Sequence, residues 1–102
     1  MAHKNTSSEK VIEAYLAEEA KKRGWMALKF LPTFVGGLPD RILLMGDGQV
    51  SFVELKSTGE KPGKLQQVMH RKLIALGFHV WVADSIKQVD AILSSYEHLR
   101  LT

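Results

Sequence analysis

The chain contains no cysteine, which removes disulfides, thiolate metal sites and cysteine nucleophiles together. It also has no long apolar run. Charge or glycine interrupts every hydrophobic stretch within a few residues, so no segment is expected to span a membrane. The first residues, Met-Ala-His-Lys-Asn-Thr, lack the apolar stretch of a secretory leader, and the cytoplasm is the expected location. No internal repeat, low-complexity tract or linker is visible. The four histidines (His3, His70, His79 and His98) share no ligand spacing such as His-x3-His, which argues against zinc. Neither sign of charge dominates: fourteen Lys+Arg against eleven Asp+Glu give +3, which permits polyanion binding without demonstrating it. What remains is 102 residues, 45% hydrophobic and 25% charged, enough for one domain (residues 1–102) with one core.

The first periodic segment runs from Ser7 to about Arg23, with Val11, Ile12, Tyr15 and Leu16 at helical spacing. Thr6-Ser7-Ser8-Glu9 reads as a capping box, and Gly24 as the stop. Trp25 to Phe30 is short, aromatic and apolar, hence a strand, and Thr33 to Leu38 is a loop carrying Gly36-Gly37. A strand through Ile42 to Met45 follows Pro39, turns at Gly46-Asp47-Gly48, and returns as Val50 to Lys56. Ser57 to Gly63 is loop. Leu65, Val68, Met69, Leu73 and Leu76 mark the expected inner face of a second helix ending at Gly77. His79 to Ala83 is a strand, and Ser85 to about Tyr96 a last helix with Ile86, Val89, Ile92 and Leu93 inward. The order αβββαβα predicts an α/β domain, a mixed sheet flanked by helices. Trp25, Trp81, Met45 and Met69 are expected in the core, and Lys21-Lys22-Arg23 at a solvated helix end.

Asp40, Glu54 and Lys56 carry the chemistry. Glu54 and Lys56, two apart on one strand, project from the same face, while Val53 and Leu55 project from the other. Counting back from the turn pairs Leu44 or Met45 with Val50, which sets Asp40 opposite Glu54 or Leu55 and within cross-strand reach of Glu54. Two carboxylates held together repel, so one protonates or a cation bridges them. A hard divalent ion such as Mg²⁺ takes one or two carboxylates, keeps waters and accepts phosphate oxygens. It can polarise a phosphoryl group and acidify a bound water, with a lysine steadying the charge that develops. Such a trio suits hydrolysis of a phosphodiester.

Pro39-Asp40, followed after thirteen intervening residues by Glu54-Leu55-Lys56, resembles the PD-(D/E)XK nuclease signature. More narrowly, the chain resembles a stand-alone VRR-NUC domain, the virus-type replication-repair nuclease. The likeness covers nearly the whole chain: Ser8-Glu9, Gly37-Leu38-Pro39-Asp40-Arg41, Phe52 to Lys56, Leu65-Gln66, Leu76-Gly77-Phe78 and Asp84-Ser85. It implies a restriction-endonuclease-like core. It further implies that Asp40, Glu54 and the Leu55 carbonyl hold Mg²⁺ or Mn²⁺, and that Lys56 acts on the water. Glu9 would reach the metal through water, or serve only as a helix cap. Gln66, or its neighbour Gln67, would position the lysine or the scissile phosphate.

Arg41, Lys61, Lys64, His70, Arg71 and Lys72 are the expected contacts to a DNA backbone, which position without reading sequence. Stand-alone members of the family resemble archaeal Holliday-junction resolvases. The expected function is therefore a Mg²⁺- or Mn²⁺-dependent endonuclease on branched DNA, in repair or recombination, in a bacterial or phage-infected cell. One small domain offers one site, so paired cuts call for a homodimer whose two-fold matches that of a junction. The alternatives are a nuclease on flap, single-stranded or duplex DNA, and a non-cleaving DNA-binding module of the same fold.

Overall fold

In this computed structural model, residues 7–30 and 35–102 are described. Their order is α1 (Glu9–Lys22), β1 (Met26–Lys29), β2 (Arg41–Leu44), β3 (Val50–Leu55), α2 (Lys64–Ala75), β4 (His79–Ala83) and α3 (Ile86–Ser94). Single 3₁₀ turns occupy Gly46–Gly48 and Glu97–Leu99. This is the αβββαβα order that periodicity and turn chemistry predict.

The strands form one sheet in the order β1-β2-β3-β4. β1, β2 and β3 run antiparallel, and β4 joins β3 in parallel through the α2 crossover. Leu44 pairs with Val50 and Arg41 with Val53, so the β2–β3 register expected from the turn is observed. Asp47 closes that turn at φ 60°, a conformation that Asp tolerates better than most residues.

Strand alternation gives the sheet two unlike faces. Leu43, Val53, Leu55 and Ala83 point to one side and meet Ile12, Leu16, Val89 and Leu93 of α1 and α3 in the main core. Ile42, Phe52, Glu54 and Val80, paired across neighbouring strands, point to the other. α2 lies on that second side, since its Gln66 and His70 reach Glu54.

The helix ends differ in detail from the expected ones. Ser8 is the N-cap of α1, accepting from the Val11 amide, so helix and cap begin two residues later than a Thr6 cap would place them. Thr6 and the loop residues Thr33-Phe34 lie outside the described residues. Val11 is exposed, whereas Ile12, Leu16 and Ala20 form the buried stripe. The larger correction concerns α2. Its only buried residue is His70, and Leu65, Val68 and Leu76, expected inward, face solvent. The stripe that α2 turns toward the sheet is Gln66, Met69, His70 and Leu73, so the half-buried Met69 and Leu73 keep the inward place expected of them and two polar residues take the rest.

Candidate active site

The site lies where β2 begins and β3 ends. Gly37 (φ +80°) allows the incoming loop to pass so close to α2 that an added Cβ would stand 2.6 Å from the Leu65 carbonyl oxygen. Pro39 is fully buried behind it and delivers Asp40 to the sheet. One step beyond the Arg41–Val53 pair, Asp40 stands opposite Glu54. Its Oδ2 accepts the Leu55 amide at 2.7 Å, which locks the carboxylate onto the end of β3.

Glu54 is 1% exposed. Its Oε2 accepts from Gln66 Nε2 at 2.7 Å and lies 3.3 Å from Lys56 Nζ. Gln66 in turn accepts the Gly63 amide at 2.9 Å, so one side chain caps α2 and clamps the carboxylate. Gln67 turns away and donates to the Pro62 carbonyl, which settles the geometry in favour of Gln66 as the neighbour of Glu54.

The other carboxylate oxygen is different. Glu54 Oε1 is buried without a hydrogen-bond partner, and so is His70 Nε2, 3.8 Å away. Buried carboxylate oxygens are rarely left unpaired, because the lost hydration costs a few kcal/mol. Burial and the nearby Asp40 charge push the Glu54 carboxyl up to about 7, against the opposing pull of Lys56. The charge of Glu9 also acts on Glu54, placing the start of α1 beside the site. That helix start is tied down by the Glu9 amide donating to Ser57 Oγ at 3.0 Å. Burial, reinforced by the Lys56 charge, holds the His70 imidazole below its ordinary value and therefore neutral at pH 7.

These residues fit a hard divalent cation. Among the described residues no three His, Cys, Asp or Glu side chains form a ready-made cage. The donors instead are two carboxylates, one with a bare, desolvated oxygen, and water and phosphate oxygens would complete the set that Mg²⁺ and Mn²⁺ prefer.

The expected phosphate contacts divide. Lys61 and Lys64 are exposed near the Gln66 end of α2. Arg71 and Lys72 are exposed too, but one and two helical steps beyond His70 they leave the face that meets the sheet. Arg41 does not reach the cleft: it shares a face with Val53, donates to Glu13 at 2.7 Å and to the Ala27 carbonyl at 2.6 Å, and so serves the sheet–α1 junction. His70 is the residue that sequence reasoning misplaced. Expected at phosphate or solvent, it stands inside the site against Glu54. Its spacing of four from Gln66 was the available signal.

No protein-family model matches the chain. It is 43% identical over 74 residues to "Putative nuclease p44" of Acyrthosiphon pisum secondary endosymbiont phage 1, a match spanning 72% of this chain and 80% of that protein. A solved structure described as "VRR_NUC domain" superposes with a TM-score of 0.80 at 27% identity, covering 88% of this chain and 99% of that one. No helix among the described residues is long and apolar enough to cross a membrane.

Proposed function

The chain belongs to the VRR-NUC nuclease family, and from that premise we propose a divalent-metal-dependent endonuclease that cuts branched DNA such as Holliday junctions as a homodimer. The observation that carries the chemistry is the pairing of Asp40 with a buried Glu54 whose Oε1 lacks a partner while Lys56 stands at Oε2.

Asp40 and Glu54, with the Leu55 carbonyl, would hold the cation, and Glu9 would reach it through water. When bound, Mg²⁺ or Mn²⁺ supplies positive charge to the phosphoryl oxygens and acidifies water. Lys56, held 3.3 Å from Glu54 Oε2, would steady the incoming water and the negative charge on the phosphoryl oxygens as the P–O ester bond breaks. Gln66 keeps the Glu54 carboxylate in one orientation throughout, through its bonds to Oε2 and to the Gly63 amide. Lys61 and Lys64 would meet the DNA backbone. A family relative encoded by a phage supports a role on DNA in a bacterial cell. Paired cuts in a four-way junction need two such sites, hence the two-fold dimer.

The test is cleavage of labelled four-way junction, flap, duplex and single-stranded DNA with Mg²⁺, Mn²⁺ or EDTA, comparing wild type with Asp40→Ala and Lys56→Ala. The expected outcome is metal-dependent cutting, strongest on the junction, reduced in both variants by roughly 10²-fold or more. Cutting that survives EDTA or both substitutions would overturn the mechanism. Preference for flaps or single strands would replace the junction substrate.

A further inference from the structure

We propose that His70 is a positioning residue of the metal site: its Nε2–H donates to Glu54 Oε1 and, with Gln66 on the other oxygen, holds the carboxylate in its metal-binding orientation. The inference rests on the metal-dependent reading above and adds a residue to it.

The observation is a mutual deficit. Among the described residues, the buried side-chain atoms without a hydrogen-bond partner are Glu54 Oε1 and His70 Nε2, and they lie 3.8 Å from one another. Glu54 is 1% exposed and His70 7%, so each atom has given up its hydration with nothing in return. A carboxylate only accepts, so the imidazole must present an N–H to it. The neutral tautomer with hydrogen on Nε2 does so, as does the imidazolium; hydrogen on Nδ1 alone would set two lone pairs face to face. The 3.8 Å separation is about 0.6 Å beyond the ~3.2 Å reach of an N–H···O bond, a gap that a small rotation of either side chain closes.

The helix builds this placement. Residues four apart share a face of α2, and Gln66 and His70 meet the two oxygens of one carboxylate. Gln66 Nε2 donates to Oε2 at 2.7 Å and is anchored from behind by the Gly63 amide, while His70 stands at Oε1. His70 is also the one buried residue of α2, where an apolar side chain would pack without the cost of burying a polar ring.

Each carboxylate oxygen carries two lone pairs, so Oε1 can accept from His70 and keep the second for a cation. A hydrogen bond of this kind fixes a ligand carboxylate, and losing it typically weakens metal binding about 10–100-fold. Direct ligation by the imidazole is the competing role. The proton separates the two, because an Nε2 that carries hydrogen cannot ligate.

The experiment is a Mn²⁺ titration followed by electron paramagnetic resonance on wild type, His70→Leu and His70→Gln, with circular dichroism confirming that each is folded. Gln brings an amide donor near the place of Nε2. His70→Leu is expected to bind Mn²⁺ about 10–100-fold more weakly, and His70→Gln to recover most of that loss. A wild type that binds no Mn²⁺ would overturn the metal reading and this proposal together. Equal binding by wild type and His70→Leu, or a loss that His70→Gln shares in full, would overturn this proposal alone. Long-range ¹H–¹⁵N correlation spectra of the wild type at saturating Mg²⁺ read the proton itself. Hydrogen on Nε2 of His70 is expected, and hydrogen on Nδ1 alone would overturn the proposal even should both variants unfold.

Discussion

Glu54 concentrates the tension between folding and function in one carboxylate. Its pKa of about 7, against 4.5 for the free side chain, fixes how stability must vary with pH. Below pH 4.5 the folded and unfolded chains both hold the proton, so the group contributes nothing. Between 4.5 and 7 the unfolded chain releases it first. The folded state then binds more protons, and stability of the metal-free protein falls as pH rises, by on the order of 3 kcal/mol in all. His70, held below its ordinary value, acts in the opposite direction up to about pH 6.5, so the Glu54 contribution is read against Glu54→Gln. In EDTA the wild-type Tm should fall relative to that variant's from pH 5 to pH 8, with Mg²⁺ restoring part of the loss at pH 8. Glu54→Gln removes the charge and keeps a side chain that Gln66 can still bond. It should abolish cleavage while raising the metal-free Tm at pH 8 by roughly 5–10 °C. A lower Tm at pH 8 would mean that the burial of a charged Glu54 is not the source of the shift.

At the scale of elements, the loop into β2 and the helix after β3 are locked together to make the site. Gly37 sits at φ +80° against the Leu65 carbonyl, and Gln66, the next residue, clamps Glu54. Gly37→Ala meets both an unfavourable backbone conformation and a 2.6 Å contact with main chain, so the loop carrying Asp40 must move. The expected result is a loss of about 1–3 kcal/mol in urea unfolding together with a fall in cleavage rate of at least tenfold. Gly48 offers the control: its φ is +70°, but an added Cβ meets nothing there. Gly48→Ala should cost stability alone and leave the rate constant of folded protein unchanged.

Across the whole molecule, the basic residues divide by what the fold does with them. Lys61 and Lys64 stand exposed beside the site, whereas Arg41 is spent on Glu13 and the Ala27 carbonyl. Removing a lysine that neutralises one phosphate should lower the slope of log K against log salt by about 1. Lys64→Ala is therefore expected to weaken DNA binding and flatten its salt dependence. Arg41→Ala should leave that slope unchanged and lower the unfolding free energy by roughly 1–3 kcal/mol, since it removes the nearer of two cations from a half-buried Glu13, leaving Lys29 at 3.7 Å, and frees the Ala27 carbonyl. Fluorescence anisotropy at several salt concentrations separates the two. The net charge of +3 on its own could not.

The sequence alone determined the order of elements, the β2–β3 register and the convergence of Asp40, Glu54 and Lys56. All three follow from local rules: side chains alternate along a strand, and a short turn sets which residues face each other. It also carried the resemblance to VRR-NUC nucleases, because that signature is a spacing. Tertiary structure decided the rest. Whether the stripe of Leu65, Val68 and Leu76 on α2 meets a core or solvent depends on where the helix docks, and periodicity is silent on that. The helix docks by a mixed stripe, Gln66 and His70 with Met69 and Leu73, because a buried Glu54 takes Gln66 at one oxygen and has His70 beside the other. Arg41 likewise left the cleft for α1 because alternation assigns it the face opposite Asp40. A one-dimensional pattern fixes which residues share a face, and only packing in three dimensions fixes what that face meets.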